Sequence, residues 1–165
     1  MSKKVAFYGI FAALAVLMGY VEAIFPMPVP IPGVKLGLAN VIVLIAMYFM
    51  GNKAALGVNI IRVCISSLLF GGFSGFLFSI AGAALSYIVM ISVKKIKSSS
   101  IIGVSILGGV AHNIGQIGVA AVVLHTPGLM YYVPMLLVSG LITGVVIGMV
   151  AKICLNHVDK SGIKY

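Results

Sequence analysis

The apolar positions of this chain form six long runs that are separated by short polar segments. The runs cover residues 5–24, 36–50, 54–70, 73–93, 101–124 and 131–155. A helix rises about 1.5 Å per residue, so each run predicts a helix that can cross a ~30 Å hydrocarbon layer, the second only just. The first run is long for the apolar part of a signal peptide and no convincing cleavage site follows it, so we expect a retained helix.

The basic residues lie at alternate ends of the predicted helices. They precede the first helix, occupy the turn after the second, follow the fourth and end the chain. These residues are Lys3, Lys4, Lys53, Lys94, Lys95, Lys97, Lys152, Lys160 and Lys164. With six crossings they all fall on one side, which the positive-inside rule makes the cytoplasmic side. Both termini are therefore predicted in the cytoplasm, and only Lys35 and Arg62 break the pattern.

The composition agrees with a membrane protein. Of the 165 residues, 62% are hydrophobic and 8% are charged, and the mean hydropathy is +1.24. A soluble domain carries about 25% charged residues. We therefore predict one all-α, polytopic transmembrane domain over residues 1–165. Basic loop ends beside anionic membrane lipids explain the net charge of +9, so nucleic acid is not a predicted partner.

Arg62 lies within the third predicted helix. An arginine near the bilayer centre costs about 2.5–3.5 kcal/mol, so its side chain should point into the bundle. Asn59 and Ser66 share its helical face. Glu22, near the outer end of the first helix, is the one acid of the sequence within a predicted membrane helix. Two compatible roles stay open for Arg62: an internal pair with Glu22 and contact with a ligand.

The fifth predicted helix carries a second polar group, in the segment GGVAHNIGQIG. His112 and Gln116 share a face, with Asn113 beside them, at a depth similar to that of Arg62. A helix–helix contact would satisfy one such residue. Three adjacent polar residues with glycines around them favour the lining of a cavity.

A proline-rich segment, FPMPVPIPGVKLGLAN (residues 25–40), joins the first two helices. Alternating prolines favour an extended chain, and residues 26–33 can span about 25 Å, enough to cross the mouth of the bundle. The second helix begins at its end, where the helix dipole favours an anion. Lys35, with Asn40 about one turn further in, is predicted as half of an anion site, and Arg62 as the other half. The alternative is a stiff connector whose lysine extends outwards.

Small residues recur every three or four positions along several helices, and such faces let membrane helices approach closely. They include Gly9, Ala12, Ala13 and Ala15 on the first helix and Gly140, Gly144 and Gly148 on the sixth. Packing within the bundle and docking of a partner membrane protein both fit this pattern.

Motifs for covalent chemistry are missing from the sequence. It contains no GxSxG, no Walker A and no HExxH motif. One intramembrane acid does not permit paired-carboxylate catalysis, and the histidines, acids and cysteines do not cluster as metal ligands. We therefore predict no enzyme activity, no cofactor and no metal. Uphill transport would draw its energy from another subunit.

Three blocks resemble a known membrane family. They are PGVKLGLANVIVLIAMYFMG (residues 32–51), NIIRV around Arg62 and GGVAHNIGQI (residues 108–117). They look like the family labelled Gx transporter or heptaprenyl diphosphate synthase component I. That family in turn resembles the substrate-binding S components of energy-coupling-factor (ECF) transporters.

The resemblance implies a six-helix bundle with both ends inside and a vitamin-like ligand in the outer half, under the first external loop. It also implies docking onto a transmembrane subunit driven by two ATPases, through Gly9, Ala12, Ala13 and Ala15. Prenyl chain elongation uses aspartate-rich motifs, and this chain has one aspartate, Asp159. The synthase label therefore fits a chain that assists a catalytic partner.

The sequence thus predicts the substrate-binding component of an ECF-type importer in the bacterial cytoplasmic membrane, with a small, amphipathic, anionic ligand. The candidate ligand-binding residues are Glu22, Lys35, Asn40, Asn59, Arg62, His112, Asn113 and Gln116. One alternative is a non-catalytic membrane subunit of a polyprenyl diphosphate synthase or of a quinone- or flavin-linked redox system. Another is a structural membrane protein without a small ligand.

Overall fold

The computed structural model describes residues 2–24, 37–70, 72–163 and 165, and the secondary structure of these residues is entirely helical. The helices are α1 (Ser2–Ile24), α2 (Leu38–Phe49), α3 (Asn52–Phe70), α4 (Gly72–Lys94), α5 (Ile101–Val123), a 3₁₀ helix (Pro127–Tyr132) and α6 (Val133–Ser161). The predictions for Lys35 and for the rest of residues 25–36 lie outside the described residues.

Five of the described helices are long and apolar enough to cross a membrane: α1, α3, α4, α5 and α6. The chain is therefore an all-α, multi-pass membrane protein, as predicted. The exception in length is α2, whose 12 residues rise about 18 Å and by themselves fall short of a ~30 Å layer. Gly37 before it and Gly51 after it have φ angles of 74° and 95°, which glycine adopts without strain. These two glycines account for a helix that is shorter than the predicted run of residues 36–50.

Aromatic contacts bring the ends of several elements together. The ring of Tyr165 lies 6.0 Å from that of Phe7, 6.4 Å from that of Tyr8 and 6.3 Å from that of Phe49, measured between centroids. The start of α1, the end of α2 and residue 165 therefore meet at one end of the bundle.

Lys94 brings the end of α4 to the same place. Its Nζ donates hydrogen bonds to the carbonyl of Met47 at 2.6 Å and to Oδ1 of Asn52 at 3.0 Å. Since Lys4, Lys53 and Lys94 all lie here, we call it the basic end. The structure thus brings Lys4, Lys53 and Lys94 to one end, as predicted, whereas the location of that end in the cytoplasm stays a prediction.

Glycines let α5 approach the helices on both of its sides. A Cβ atom on Gly144 of α6 would lie 2.6 Å from the Cα of Ile106, and one on Gly115 of α5 would lie 2.8 Å from the carbonyl oxygen of Ala81. Both distances are shorter than a real Cβ contact. The small residues of α6 therefore pack within the bundle, which makes this face unreachable for a partner protein.

The apolar core lies on the side of the basic end. It joins α1, α2 and α3 through residues such as Ala15, Leu44 and Val58, and it extends to Met90 of α4 and Leu155 of α6. The buried polar residues of α3 and α5 lie further from the basic end along these helices. The candidate site is therefore in the other half of the bundle.

Candidate functional site

Most of the polar residues that the sequence singled out are buried. The buried ligand candidates have 4–8% of their surface exposed, and they are Glu22, Asn59, Arg62, His112, Asn113 and Gln116. In a bilayer each polar group needs a partner inside the protein, because no water is available to it. The hydrogen-bond partners of each buried side chain therefore indicate whether it holds helices together or remains available to a ligand.

Arg62 is held by its own helix and points its guanidinium into the bundle. Its Nη2 donates to Oδ1 of Asn59 at 2.9 Å, and Nδ2 of Asn59 is 3.5 Å from the carbonyl oxygen of Ala83 on α4. The Nε of Arg62 is buried and has no hydrogen-bond acceptor among the described residues. A charged donor in the middle of the bundle is thus left with an unused N–H.

Glu22 links α1 to the start of α2. One of its carboxylate oxygens accepts a hydrogen bond from the main-chain N–H of Gly37, the residue that precedes α2. The carboxylate also attracts the guanidinium of Arg62 electrostatically. The two charges therefore lie within electrostatic range of each other, while the internal pair of these two residues stays a prediction.

This arrangement changes the prediction for the start of α2. The sequence predicts that a ligand anion binds there, where the helix dipole is positive. The structure places the carboxylate of Glu22 at this position instead. The proposed second contributor, Lys35, lies outside the described residues.

His112 and Gln116 of α5 pack against Gly82 of α4. A Cβ atom on Gly82 would lie 2.6 Å from the Cγ of Gln116 and 3.1 Å from the Cε1 of His112, so only glycine leaves room for them. Gly82 is adjacent to Ala83, whose carbonyl faces Asn59. The two polar groups that the sequence predicted separately, on the third and fifth helices, therefore approach adjacent residues of α4.

We name this group the polar cluster: Glu22, Asn59, Arg62, His112 and Gln116. It consists of two groups, Glu22, Asn59 and Arg62 on α1 and α3 and His112 and Gln116 on α5, which approach adjacent residues of α4. Sequence reasoning identified all five side chains, and the stripe of small residues Gly75, Ser79, Gly82 and Ser86 on α4 indicated close helix packing. That Gly82 packs against His112 and Gln116 required the structure.

Asn113 lies apart from the polar cluster. Its Nδ2 donates to the carbonyl oxygen of Leu136 on α6 at 2.8 Å, and it packs over Gly140. A helix–helix contact therefore accounts for its burial. Asn40 is also separate, since it lines a small cavity between α2 and α4–α6.

Most glycines of α5 allow close packing against neighbouring helices. Added Cβ atoms on Gly108, Gly109 and Gly115 would lie 2.6, 2.9 and 2.8 Å from atoms of neighbouring helices, whereas one on Gly118 would meet nothing within 4 Å. The glycines that suggested a cavity lining are thus explained by helix contacts at three of these four positions.

A comparison with protein families matches residues 11–154 of the chain to heptaprenyl diphosphate synthase component I. The chain belongs to this family. The match includes the whole polar cluster and confirms the resemblance inferred from the three sequence blocks. Comparison with curated proteins and with solved structures gives no match.

The small residues of α1 do not form one face. Ala15 is fully buried in the core, while Gly9 and Ala13 are exposed and Ala12 is half-buried. Gly19 packs against Ser66 of α3. A partner helix can therefore reach Gly9 and Ala13 but not Ala15.

Proposed function

We propose that this membrane component binds a small, amphipathic, anionic ligand at the polar cluster and acts as the substrate-binding component of an ECF-type importer. One observation carries the proposal: the Nε of Arg62 is a buried, charged donor without an acceptor among the described residues. Intramembrane charges are expensive and are typically retained for function. A ligand anion would supply the acceptor.

The neighbouring groups restrict the ligand further. Glu22 already balances part of the charge of Arg62, so a second carboxylate or phosphate close to Glu22 would be repelled. The ligand would therefore direct its anionic group to the Nε of Arg62 and a neutral or hydrogen-bond-donating group towards Glu22. His112 and Gln116, which pack against Gly82 of α4, would supply polar contacts on the α5 side.

The role that we propose is non-catalytic. The chain would take its transport energy from a partner transmembrane subunit with two ATPases, in the bacterial cytoplasmic membrane. The exposed pair Gly9 and Ala13 on α1 would form the docking face, because it presents no large side chain to an approaching helix.

Ligand binding is tested by native mass spectrometry of the protein purified in mild detergent. We expect the wild-type protein to retain a small-molecule mass, Arg62→Gln to lose it, and Lys97→Gln at the exposed basic end to keep it. The proposal fails if the folded wild-type protein stays empty across a broad metabolite panel. It also fails if Arg62→Gln retains the ligand as the wild type does.

Docking is tested by co-purification from membranes. Gly9→Leu and Ala13→Leu should leave the melting temperature unchanged and abolish recovery of an ATPase-linked membrane subunit. Ala84→Leu, which enlarges an exposed small residue on α4, is the matched control and should retain the partner. Equal recovery with all three variants contradicts the docking face.

The family's description favours a second candidate, a non-catalytic membrane subunit of a polyprenyl diphosphate synthase. In that case a soluble prenyltransferase would co-purify with the chain, and adding the chain in lipid vesicles would raise the activity of that enzyme. Co-purification of the prenyltransferase, without any ATPase-linked subunit, would favour this candidate over the importer.

A further inference from the structure

A small cavity, mainly apolar but with three polar side chains in its lining, lies between α2, α4, α5 and α6. Its polar lining consists of Asn40, Ser86 and Ser105, and its apolar lining includes Leu44, Met90 and Ile147. Ser86 and Ser105 are 3% and 5% exposed, so this cavity lies well inside the protein. It is separate from the contacts that hold Arg62.

The side chains that face this cavity have hydrogen-bonding capacity that the described contacts do not use. Hydroxyl groups on membrane helices commonly donate to a carbonyl one turn earlier, and Ser92 and Thr143 do so here, to Ile88 and Ser139. The main-chain N–H of Asn40 donates to the carbonyl of Gly37, whereas the hydrogen bonds of the described residues include none from its side-chain amide or from the hydroxyl of Ser86 or Ser105.

The volume of the cavity fits one small polar species. Its volume is about 10 Å³, at the lower limit of the roughly 10–15 Å³ that holds a single water molecule. A buried water typically makes about three hydrogen bonds to polar groups that otherwise have no partner. Two hydroxyl groups and one amide supply that number.

We propose that one water molecule occupies this cavity and bridges Asn40 of α2, Ser86 of α4 and Ser105 of α5. The water ties the short helix α2 to the α4–α5 pair at a place where glycines leave no long side chain to do so. No acidic side chain of the described residues lines the cavity, so its chemistry favours a neutral occupant over a cation. The proposal does not depend on the ligand that the polar cluster binds.

The direct test is an experimental structure at about 2 Å resolution or better. We expect isolated density about 2.7–3.2 Å from the polar atoms of at least two of the three side chains. A cavity without density, or one filled by a rearranged side chain, overturns the proposal.

A second test uses melting temperatures in detergent. Ser86→Ala and Ser105→Ala should each lower the melting temperature by about 2–4 °C. The double variant should lose less than the sum, because either change already releases the water. Ser92→Ala, an exposed serine on α4 that bonds its own helix, is the control and should change little. Strictly additive effects contradict a shared water.

The same measurement distinguishes water from a bound cation. Replacing sodium by choline in the buffer should leave the melting temperature of the wild type unchanged. Stabilisation by sodium that disappears in the double variant would assign the site to a cation and overturn the proposal of a neutral water.

Discussion

The main-chain N–H of Gly37 donates a hydrogen bond to the carboxylate of Glu22, which joins the end of α1 to the start of α2. The two residues lie on either side of the segment of residues 25–36 in the sequence. Because the same carboxylate attracts Arg62, one acidic side chain links α1, α2 and α3. The stability of this half of the bundle should therefore depend on Glu22.

Replacing Glu22 with glutamine tests this dependence. The amide still accepts a hydrogen bond, but it removes the negative charge that faces Gly37 and Arg62. Hydrogen bonds to charged groups contribute about 1.5–3 kcal/mol, so we expect Glu22→Gln to lower the free energy of unfolding by about 2 kcal/mol. Asp159→Asn removes the other acid, which is exposed near the end of α6. This change should alter the free energy of unfolding by less than about 0.5 kcal/mol. Denaturant unfolding in detergent measures both, and equal effects would contradict the contact.

The attraction between Glu22 and Arg62 is tested by a double-mutant cycle. Arg62→Gln leaves a buried carboxylate without its cation, and Glu22→Gln leaves a buried cation without its carboxylate. Removing both charges should therefore cost less than the sum of the single changes, with a coupling of about 0.5–3 kcal/mol. A second cycle that combines Glu22→Gln with Lys97→Gln at the basic end should be additive. Additivity in both cycles would rule out the pair.

The close contact of α6 with α5 predicts different effects for two identical substitutions. Gly144→Ala places a methyl group 2.6 Å from the Cα of Ile106, so α5 and α6 must move apart. We expect a loss of about 1–3 kcal/mol in the free energy of unfolding. Gly118→Ala adds its methyl group where nothing lies within 4 Å, and stability should be unchanged or slightly higher. Thermal unfolding followed by circular dichroism compares the two, and an equal loss would show that the packing is looser than described.

The contacts of Lys94 predict that this lysine of the basic end stabilises the fold. Its Nζ donates to Met47 and Asn52 and lies 4.6 Å from the ring centroid of Tyr48. Lys94→Met should lower the free energy of unfolding by about 1–3 kcal/mol, since the hydrogen bonds to both acceptors are lost. Lys97→Met, at an exposed position of the same loop, should change it by less than about 0.5 kcal/mol. If both lysines behave alike, Lys94 acts through charge alone.

The sequence determined the helical class of the protein and the placement of Lys4, Lys53 and Lys94 at one end. Both follow from local properties: the length of each apolar run fixes the length of a possible helix, and alternating crossings fix which loops share an end. Even so, only the structure gave the length of α2. The left-handed backbone at Gly37 and Gly51 bounds this helix on either side, within an apolar run of the sequence.

The sequence also identified the side chains of the polar cluster, since a charged or polar residue in an apolar helix stands out by its cost in a membrane. Only the tertiary structure decided which of these residues meet. Helix rotation and tilt set the partners, so Asn113 contacts α6 while His112, its neighbour in the chain, faces α4. The same rotation buries Ala15 and exposes Ala13 on α1. Adjacent helical residues point about 100° apart, so the contacts of each depend on helices distant in sequence, which periodicity alone does not specify.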